Sequence, residues 1–450
     1  MNQVLPSARS RPAGLAARCW AVALVLLGTA GVTGRAHAQQ YDWGLRAGAT
    51  YSDNIARTST NTQAETVVEG GIKLAIVEKR RWIDATIGSD IEYQSYLNHS
   101  FHSGVVGGVN GNIRFDIIPG RVSWTVLDNF GQASVDPLAV ETPANRQNVN
   151  VLTTGPDITV PFGRRTDLRV RGRWTDASYG TTLANNTQTL GSVALIRHIA
   201  ATSSVSLNVS SQRVTYATAA VSPSYDVQEA YVALDSTRER TTIGLQLGVT
   251  RLTGLGRSSG GPLARLNLSR MLSPRAGVSL TAGVQFADSA GAFHTTQSVG
   301  GIVLGNTNAV VATDPFRLEY GSLTWTMTGE AVTATVRGDW NRERHQTQAL
   351  LDRNQIGSRL SIGRRISPQF NLGAEGGYGR QEFKNAGATL KDWSFNALLT
   401  WSLSTRLFLQ ARAGRFQGDG HSSIAQPNSN VTHDFVENRA TVTLFYGRIH

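Results

Sequence analysis

YDWGLRAGATY, residues 41–51, alternates from end to end: Tyr41, Trp43, Leu45, Ala47, Ala49 and Tyr51 fall on one parity, Asp42, Gly44, Arg46, Gly48 and Thr50 on the other. An extended chain points successive side chains to opposite faces, so this stretch reads as a strand with one greasy and one wet side. A single such strand fits many folds. What decides the fold is whether the same rhythm continues along the chain.

It does. Val68, Gly70, Ile72, Leu74 and Ile76 oppose Glu69, Gly71, Lys73 and Ala75. Beyond the charged turn Glu78 to Arg81, Ile83, Ala85, Ile87, Ser89, Ile91 and Tyr93 oppose Asp84, Thr86, Gly88, Asp90 and Glu92. Val105 to Ile117, Ile243 to Val249, Val278 to Phe286, Val332 to Trp340 and Trp393 to Trp401 keep a period of two. Connections alternate as well. Short ones fall near Pro119-Gly120, Phe162-Gly163, Ser273-Pro274, Ser367-Pro368 and Ser404-Thr405, and longer polar ones at 52–65, 132–147, 180–186, 217–225, 253–261, 289–315 and 418–430. Short turns at one end and long loops at the other describe an outer-membrane barrel, with the turns in the periplasm. The expectation is an all-β single transmembrane antiparallel barrel of about twenty strands, with 18 to 22 allowed by uncertain boundaries.

Residues 1–38 read as a cleaved signal peptide, and 39–450 as the barrel. Arg9, Arg11 and Arg18 precede an apolar run from Ala21 to Ala30, and Ala36-His37-Ala38 supplies the small-x-small cleavage site before Gln39. The single cysteine, Cys19, lies in the leader, which excludes disulfides and Cys-ligated metals from the remainder. No stretch of the remainder is apolar enough for a spanning helix, so it enters a membrane only as a closed barrel, where every backbone polar group finds a partner. No plug, passenger domain or coiled coil is expected beside the barrel. Removing the four leader arginines lowers the formal charge from +11 to +7. Nucleic acid is not an expected partner, because the chain is exported and its arginines are dispersed along strands. An interior field for anions, or a rim meeting acidic lipid headgroups, accounts for the excess.

Several segments resemble the outer-membrane β-barrel porin family found beside exopolysaccharide export operons and exosortase (PEP-CTERM) protein-sorting systems. They are Tyr51-Ser52-Asp53-Asn54-Ile55, VSWTVLDNFGQ at 122–132, TPANRQNVN at 142–150 leading into Thr154-Gly155-Pro156-Asp157, and Asp314-Pro315-Phe316. The resemblance runs through nearly all of 39–450 in the same order. It implies an outer-membrane location and a role in polysaccharide export, and it carries across no catalytic or binding residue.

The site expected to matter is the lumen. Arg169, Arg171 and Arg173 alternate with Leu168, Val170, Gly172 and Trp174 and form a row on the wet face, with Arg46, Arg114, Arg265, Arg337, Arg359 and Arg412 on the same inward parity. Arginine stays charged and forks its donors toward carboxylates, so the row can act as a selectivity element for an anionic polysaccharide. The competing reading pairs these arginines with Asp84, Asp90, Glu92, Asp116, Asp339 and Glu375 as bracing of a wet wall. Trp43, Tyr51, Tyr93, Trp124, Phe130, Trp174, Trp340, Trp401 and Tyr446 read either as an interfacial girdle or as stacking faces for sugars. The loop 132–147 reads either as a surface loop or as an inward constriction, and 289–315 as a cap over the mouth. His99 and His102 lack a third metal ligand, the glycine-rich stretches lack a following helix, and no His meets a plausible nucleophile. No enzyme activity, cofactor or metal is therefore expected. Expected partners are outer-membrane lipid and lipopolysaccharide, an anionic polysaccharide with its export machinery, and the barrel-assembly machinery. The last of these would read Val442, Leu444 and Tyr446 in the final strand.

Overall fold

The computed structural model describes residues 39–180, 184–218, 223–256, 258–297, 311–422 and 434–448, and the expected leader lies outside them. The first ten strands are β1 (Gln39–Ser52), β2 (Glu65–Arg80), β3 (Ile83–Tyr96), β4 (Gly104–Ile118), β5 (Val122–Ser134), β6 (Arg146–Pro161), β7 (Thr166–Tyr179), β8 (Asn186–Ala200), β9 (Ser203–Tyr216) and β10 (Tyr225–Arg238). β11 (Thr241–Thr253), β12 (Ser259–Ser273) and β13 (Ala276–Ala287) follow, then a short helix α1 (Ser289–Gln297). The chain closes with β14 (Phe316–Thr328), β15 (Val332–His345), β16 (Arg353–Arg365), β17 (Phe370–Phe383), β18 (Ala388–Ser402), β19 (Leu407–Ser422) and β20 (Phe435–Arg448).

Every strand pairs antiparallel with its sequence neighbours, and β1 pairs with β20 from Trp43↔Arg448 to Ser52↔Arg439. That last pairing turns a twenty-stranded sheet into a closed barrel, which leaves no unpaired edge in hydrocarbon. The strands run 12 to 16 residues. This exceeds the nine to eleven that span a bilayer, so the wall projects beyond the membrane. The alternation is realised with its apolar side outward: Leu45, Leu207 and Val249 stay 47 %, 56 % and 62 % exposed, whereas Glu65 and Glu437 are fully buried. Greasy residues outside and carboxylates inside describe a transmembrane barrel, and the closed antiparallel architecture places it in the bacterial outer membrane.

The nine short turns, two to four residues each, lie at one end together with the start of β1 and the end of β20. By the rule for such barrels this end is periplasmic, and the ten other connections are extracellular. The β1–β20 seam is clasped at its outer end by the stretch after the first strand. Ser52 Oγ donates to Glu437 Oε1 at 2.7 Å, Asn54 Nδ2 to the Val436 carbonyl at 3.0 Å, and Asp53 accepts from the backbone and side chain of Asn438 at 2.8 and 2.7 Å. Gly107 in β4 needs its absent side chain: with φ +116° its backbone approaches β3 so closely that a Cβ would sit 2.0 Å from the Asp90 carbonyl oxygen.

The all-β expectation takes one amendment. α1 and two 3-10 turns, Pro143–Asn145 and Ala349–Leu351, interrupt the outer loops. α1 turns inward: its Ala290 and Phe293, each 1 % exposed, pack on Ala133, Val149, Val151, Ala177 and Tyr179. Tyr179 and Ala177 share the parity of Arg169, Arg171 and Arg173, so that surface is the lumen wall.

The loop 135–145 also turns inward. Leu138 leaves the β5–β6 connection and packs on Phe383, Ala386, Ala388 and Leu390 of the β17–β18 hairpin, with β19, β20 and β1 to β4 between them by the shorter way round. Asn145 holds this shape by accepting from the Asp136 N–H at 2.8 Å and donating to the Asp136 and Val140 carbonyls at 2.9 and 3.2 Å. Of the two readings for this segment, the inward constriction is the one the structure shows. The outer half of the lumen is thus narrowed from two sides.

Candidate functional site: the arginine-bearing lumen

Alternation along β7 aims Arg169, Arg171 and Arg173 into the lumen, as expected, but two of the three are not free. Asp157 on β6 stands directly across from Arg171 and accepts from its Nε at 2.7 Å and from Arg173 Nη2. Thr125 of β5 adds a third donor at 3.1 Å. Arg173 also donates to the carbonyl of Pro156 at 3.0 Å. Arg169 meets no carboxylate among the described residues and remains an uncompensated cation.

The other inward arginines divide the same way. Arg46 lies across Gly71, where a Cβ would come within 2.8 Å of its Nε, and so reaches Asp90 at 2.9 Å and Glu92. Arg114 pairs with Asp116 at 2.8 Å on its own strand. Arg265 pairs with Glu229 at 2.7 Å and lies over the Tyr231 ring. Arg412 approaches Glu375 to 3.9 Å. Arg337 is 3.6 Å from Asp339 and stands directly opposite Arg359, which has no carboxylate partner among the described residues. Pairing with wall carboxylates is therefore the commoner fate, and of the inward arginines named from sequence Arg169 and Arg359 are the two that meet no carboxylate among the described residues.

A distinct chamber of about 310 Å³ lies against the β1–β3 and β18–β20 wall and is bounded by the inward loop 135–145. Arg46, Arg57, Arg146 and Arg439 meet Tyr96 and Phe416 there. Arg57 and Arg439 both place their guanidinium groups on the Phe416 ring, at 5.5 and 5.1 Å, while Glu437 accepts from both. Glu69, Glu92 and Glu141 share the lining, so the wall is a charge-matched network whose guanidinium edges and aromatic faces stand side by side.

The aromatic residues named from sequence sit elsewhere. Trp43, Tyr51, Tyr93, Trp124, Trp174, Trp340, Trp401 and Tyr446 are exposed on the outward parity, Phe130 lies half-buried on the same parity of β5, and Trp43 meets Tyr446 edge-on at 5.8 Å. They form the girdle, where an amphipathic ring is most stable, and the lumen aromatics Tyr96, Phe416 and Tyr231 went unnoticed. Asp157 was missed too, although its place in Thr154-Gly155-Pro156-Asp157, one turn before the arginine row, was a usable signal. A second missed signal was apolar residues on the wet parity near the outer strand ends. Val149, Val151, Val214 and Leu252 are each at most 1 % exposed. An apolar patch inside a polar lumen announces that something packs on it. Here it is α1 for Val149 and Val151, while Val214 and Leu252 join Tyr216, Tyr225 and Phe286 beside it.

α1 is latched by Asp288, which accepts from Gln188 Nε2 at 2.6 Å, the Gly291 N–H at 2.7 Å and Tyr225 Oη at 3.4 Å. Burial pushes its carboxyl above the usual carboxylate range, against the opposing effect of those donors.

No family model and no curated protein matches this sequence. Among solved structures, the chain is similar to a ferric enterobactin receptor of Pseudomonas aeruginosa at 10 % identity, covering 92 % of this chain and 82 % of that one with a TM-score of 0.47. It is likewise similar to the siderophore receptor PirA of P. aeruginosa (9 % identity, 92 % and 81 % covered, TM-score 0.43). The FrpB iron transporter of Neisseria meningitidis matches at 10 % identity, with 90 % and 81 % covered and a TM-score of 0.43. The fold rests on the closed strand order and the outward alternation, not on these likenesses.

Proposed function

We propose that this barrel assists the passage of an anionic extracellular polysaccharide across the outer membrane. The observation that carries the reading is the chamber beneath loop 135–145, where Arg46, Arg57, Arg146 and Arg439 share a cavity with Tyr96 and Phe416. Guanidinium forks that also meet wall carboxylates, set beside ring faces, suit passing contact with a polymer of acidic sugars in place of tight retention. The resemblance of several segments to the polysaccharide-export porins prompts the same reading. The protein acts without catalysis or cofactor, its partners being the polymer, the export machinery behind it and, during biogenesis, the barrel-assembly machinery.

A second reading is favoured by one observation, the narrowing of the outer lumen by both α1 and loop 135–145. It makes the protein a closed barrel whose outer loops bind a surface polymer or a partner protein. Single-channel recording in planar bilayers separates the two. Export predicts an anion-preferring conductance that falls when Arg169, Arg171 and Arg173 are replaced by serine, with Arg169 contributing most because it alone is unpaired. Silence in the bilayer supports the closed barrel, and an unchanged ion preference in the triple variant removes the arginine row from the mechanism.

A further inference from the structure

The outward face of the wall carries its own charge pattern at the periplasmic end. Arg80, Arg197, Arg238, Arg270, Arg364 and Arg448 occupy outward positions at or near the ends of the descending strands β2, β8, β10, β12, β16 and β20. Each continues a lipid-facing row: Arg238 follows Val232 and Leu234, Arg270 follows Leu266 and Leu268, and Arg364 follows Leu360 and Ile362. Their depth is set by the girdle, because Arg448 stands opposite Trp43, and Arg80 pairs with the Glu78 that accepts from Tyr41 Oη.

Glu78 is the one carboxylate on this outward face among the described strand ends. Arg238 and Arg270 flank Thr241 in a single cross-strand row, and neither they nor Arg364 has a carboxylate partner among the described residues. On the outer rim more of the outward charges are paired, Arg317 and Arg342 at 3.6 Å from Glu319, Lys391 at 3.7 Å from Asp419, and Arg380 at 3.7 Å from Glu382, while Arg213 and Arg251 meet no carboxylate among the described residues.

We propose that this inner collar binds the phosphodiester headgroups of net-anionic glycerophospholipids in the periplasmic leaflet. An arginine stem lies along apolar wall while its head reaches the headgroup layer, and the guanidinium fork matches a phosphate. Zwitterionic lipids bring a phosphate with a competing ammonium, so the collar prefers headgroups that lack one. A polyanion travelling through the lumen would meet inward and turn residues instead, since these six point away from it. The inference depends only on the orientation of the barrel and not on what the lumen conducts.

The test is native mass spectrometry of the folded barrel released from detergent with phosphatidylglycerol or phosphatidylcholine. The wild type should retain phosphatidylglycerol in preference. Binding should weaken about fivefold per arginine removed in the Arg238→Gln, Arg270→Gln, Arg364→Gln variant. The lumen variant Arg169→Ser, Arg171→Ser, Arg173→Ser should keep the preference. Equal retention of the two lipids by the wild type, an unchanged preference in the collar variant, or loss of it in the lumen variant overturns the proposal. If the triple collar variant does not fold, the single Arg270→Gln serves, and a wild-type preference that survives molar salt also overturns it.

Discussion

Replacing Asn145 by alanine should release loop 135–145 from the lumen and raise conductance. Asn145 makes three short hydrogen bonds to the loop backbone, at 2.8, 2.9 and 3.2 Å. At about 0.5–1.5 kcal/mol each, their loss costs roughly 2–3 kcal/mol of the pinned conformation. That shifts the ratio of pinned to released loop by about 30- to 150-fold. Leu138 still has its apolar seat on Phe383 and Leu390, so the double variant with Leu138→Ser should go further, by up to roughly 2 kcal/mol. The assay is single-channel recording, read as open probability and unit conductance, beside limited proteolysis of the loop. If both variants cleave readily in the loop yet conduct like the wild type, the loop is released without opening anything, and the occlusion lies elsewhere.

Three further outcomes follow from the same contacts. Glu437→Ala leaves Arg57 and Arg439 facing one another over Phe416 without a counter-charge, at a cost of about 3–5 kcal/mol; the folded band on an unheated gel should be lost at a distinctly lower temperature than for wild type. Gly107→Val should abolish or severely slow folding, because its Cβ would lie 2.0 Å from the Asp90 carbonyl oxygen at a positive φ; a folded yield equal to wild type would contradict the close approach of β3 and β4. The docking of α1 should depend on pH. Asp288 has its carboxyl raised by burial, facing Gln188, Tyr225 and the Gly291 N–H, so its contribution is full below its unfolded value of about 3.8 and fades as pH rises through the raised value. Open probability should therefore rise with pH across the acidic range, and Asp288→Asn should flatten that dependence.

The wall was legible because its cause is local. A strand between lipid and water must alternate residue by residue, and Tyr41 to Tyr51 or Ile83 to Tyr93 cannot satisfy both solvents in any other way. Turn chemistry such as Pro119-Gly120 then fixed where strands end, which gave the strand number and the two ends. What closes the lumen was only half legible, because it depends on contacts between distant segments. Leu138 and Phe293 stand in irregular loop sequence with no alternation to orient them, and nothing local says which wall receives them. The charge state of the lumen was obscured for a related reason: Arg171 and Arg173 look like a free stripe until β6 brings Asp157 across from them. Three of the four segments resembling the export porins prove to be fasteners. Ser52 to Asn54 hold the seam, Asn145 holds the constriction, and Asp314 accepts from the Thr347 and Gln348 N–H groups at 2.7 and 2.8 Å beside the β15 end.

The clasp between Ser52 to Asn54 and Val436 to Asn438 joins the first strand to the last, so the bond that completes the cylinder spans nearly the whole polypeptide. A copy cut short before β20 would have nineteen strands and two raw edges, each a row of amides with nothing to grip and no refuge in hydrocarbon. Insertion is thereby tied to the twentieth strand: a chain can seal itself against lipid once β20 has been made and has met β1.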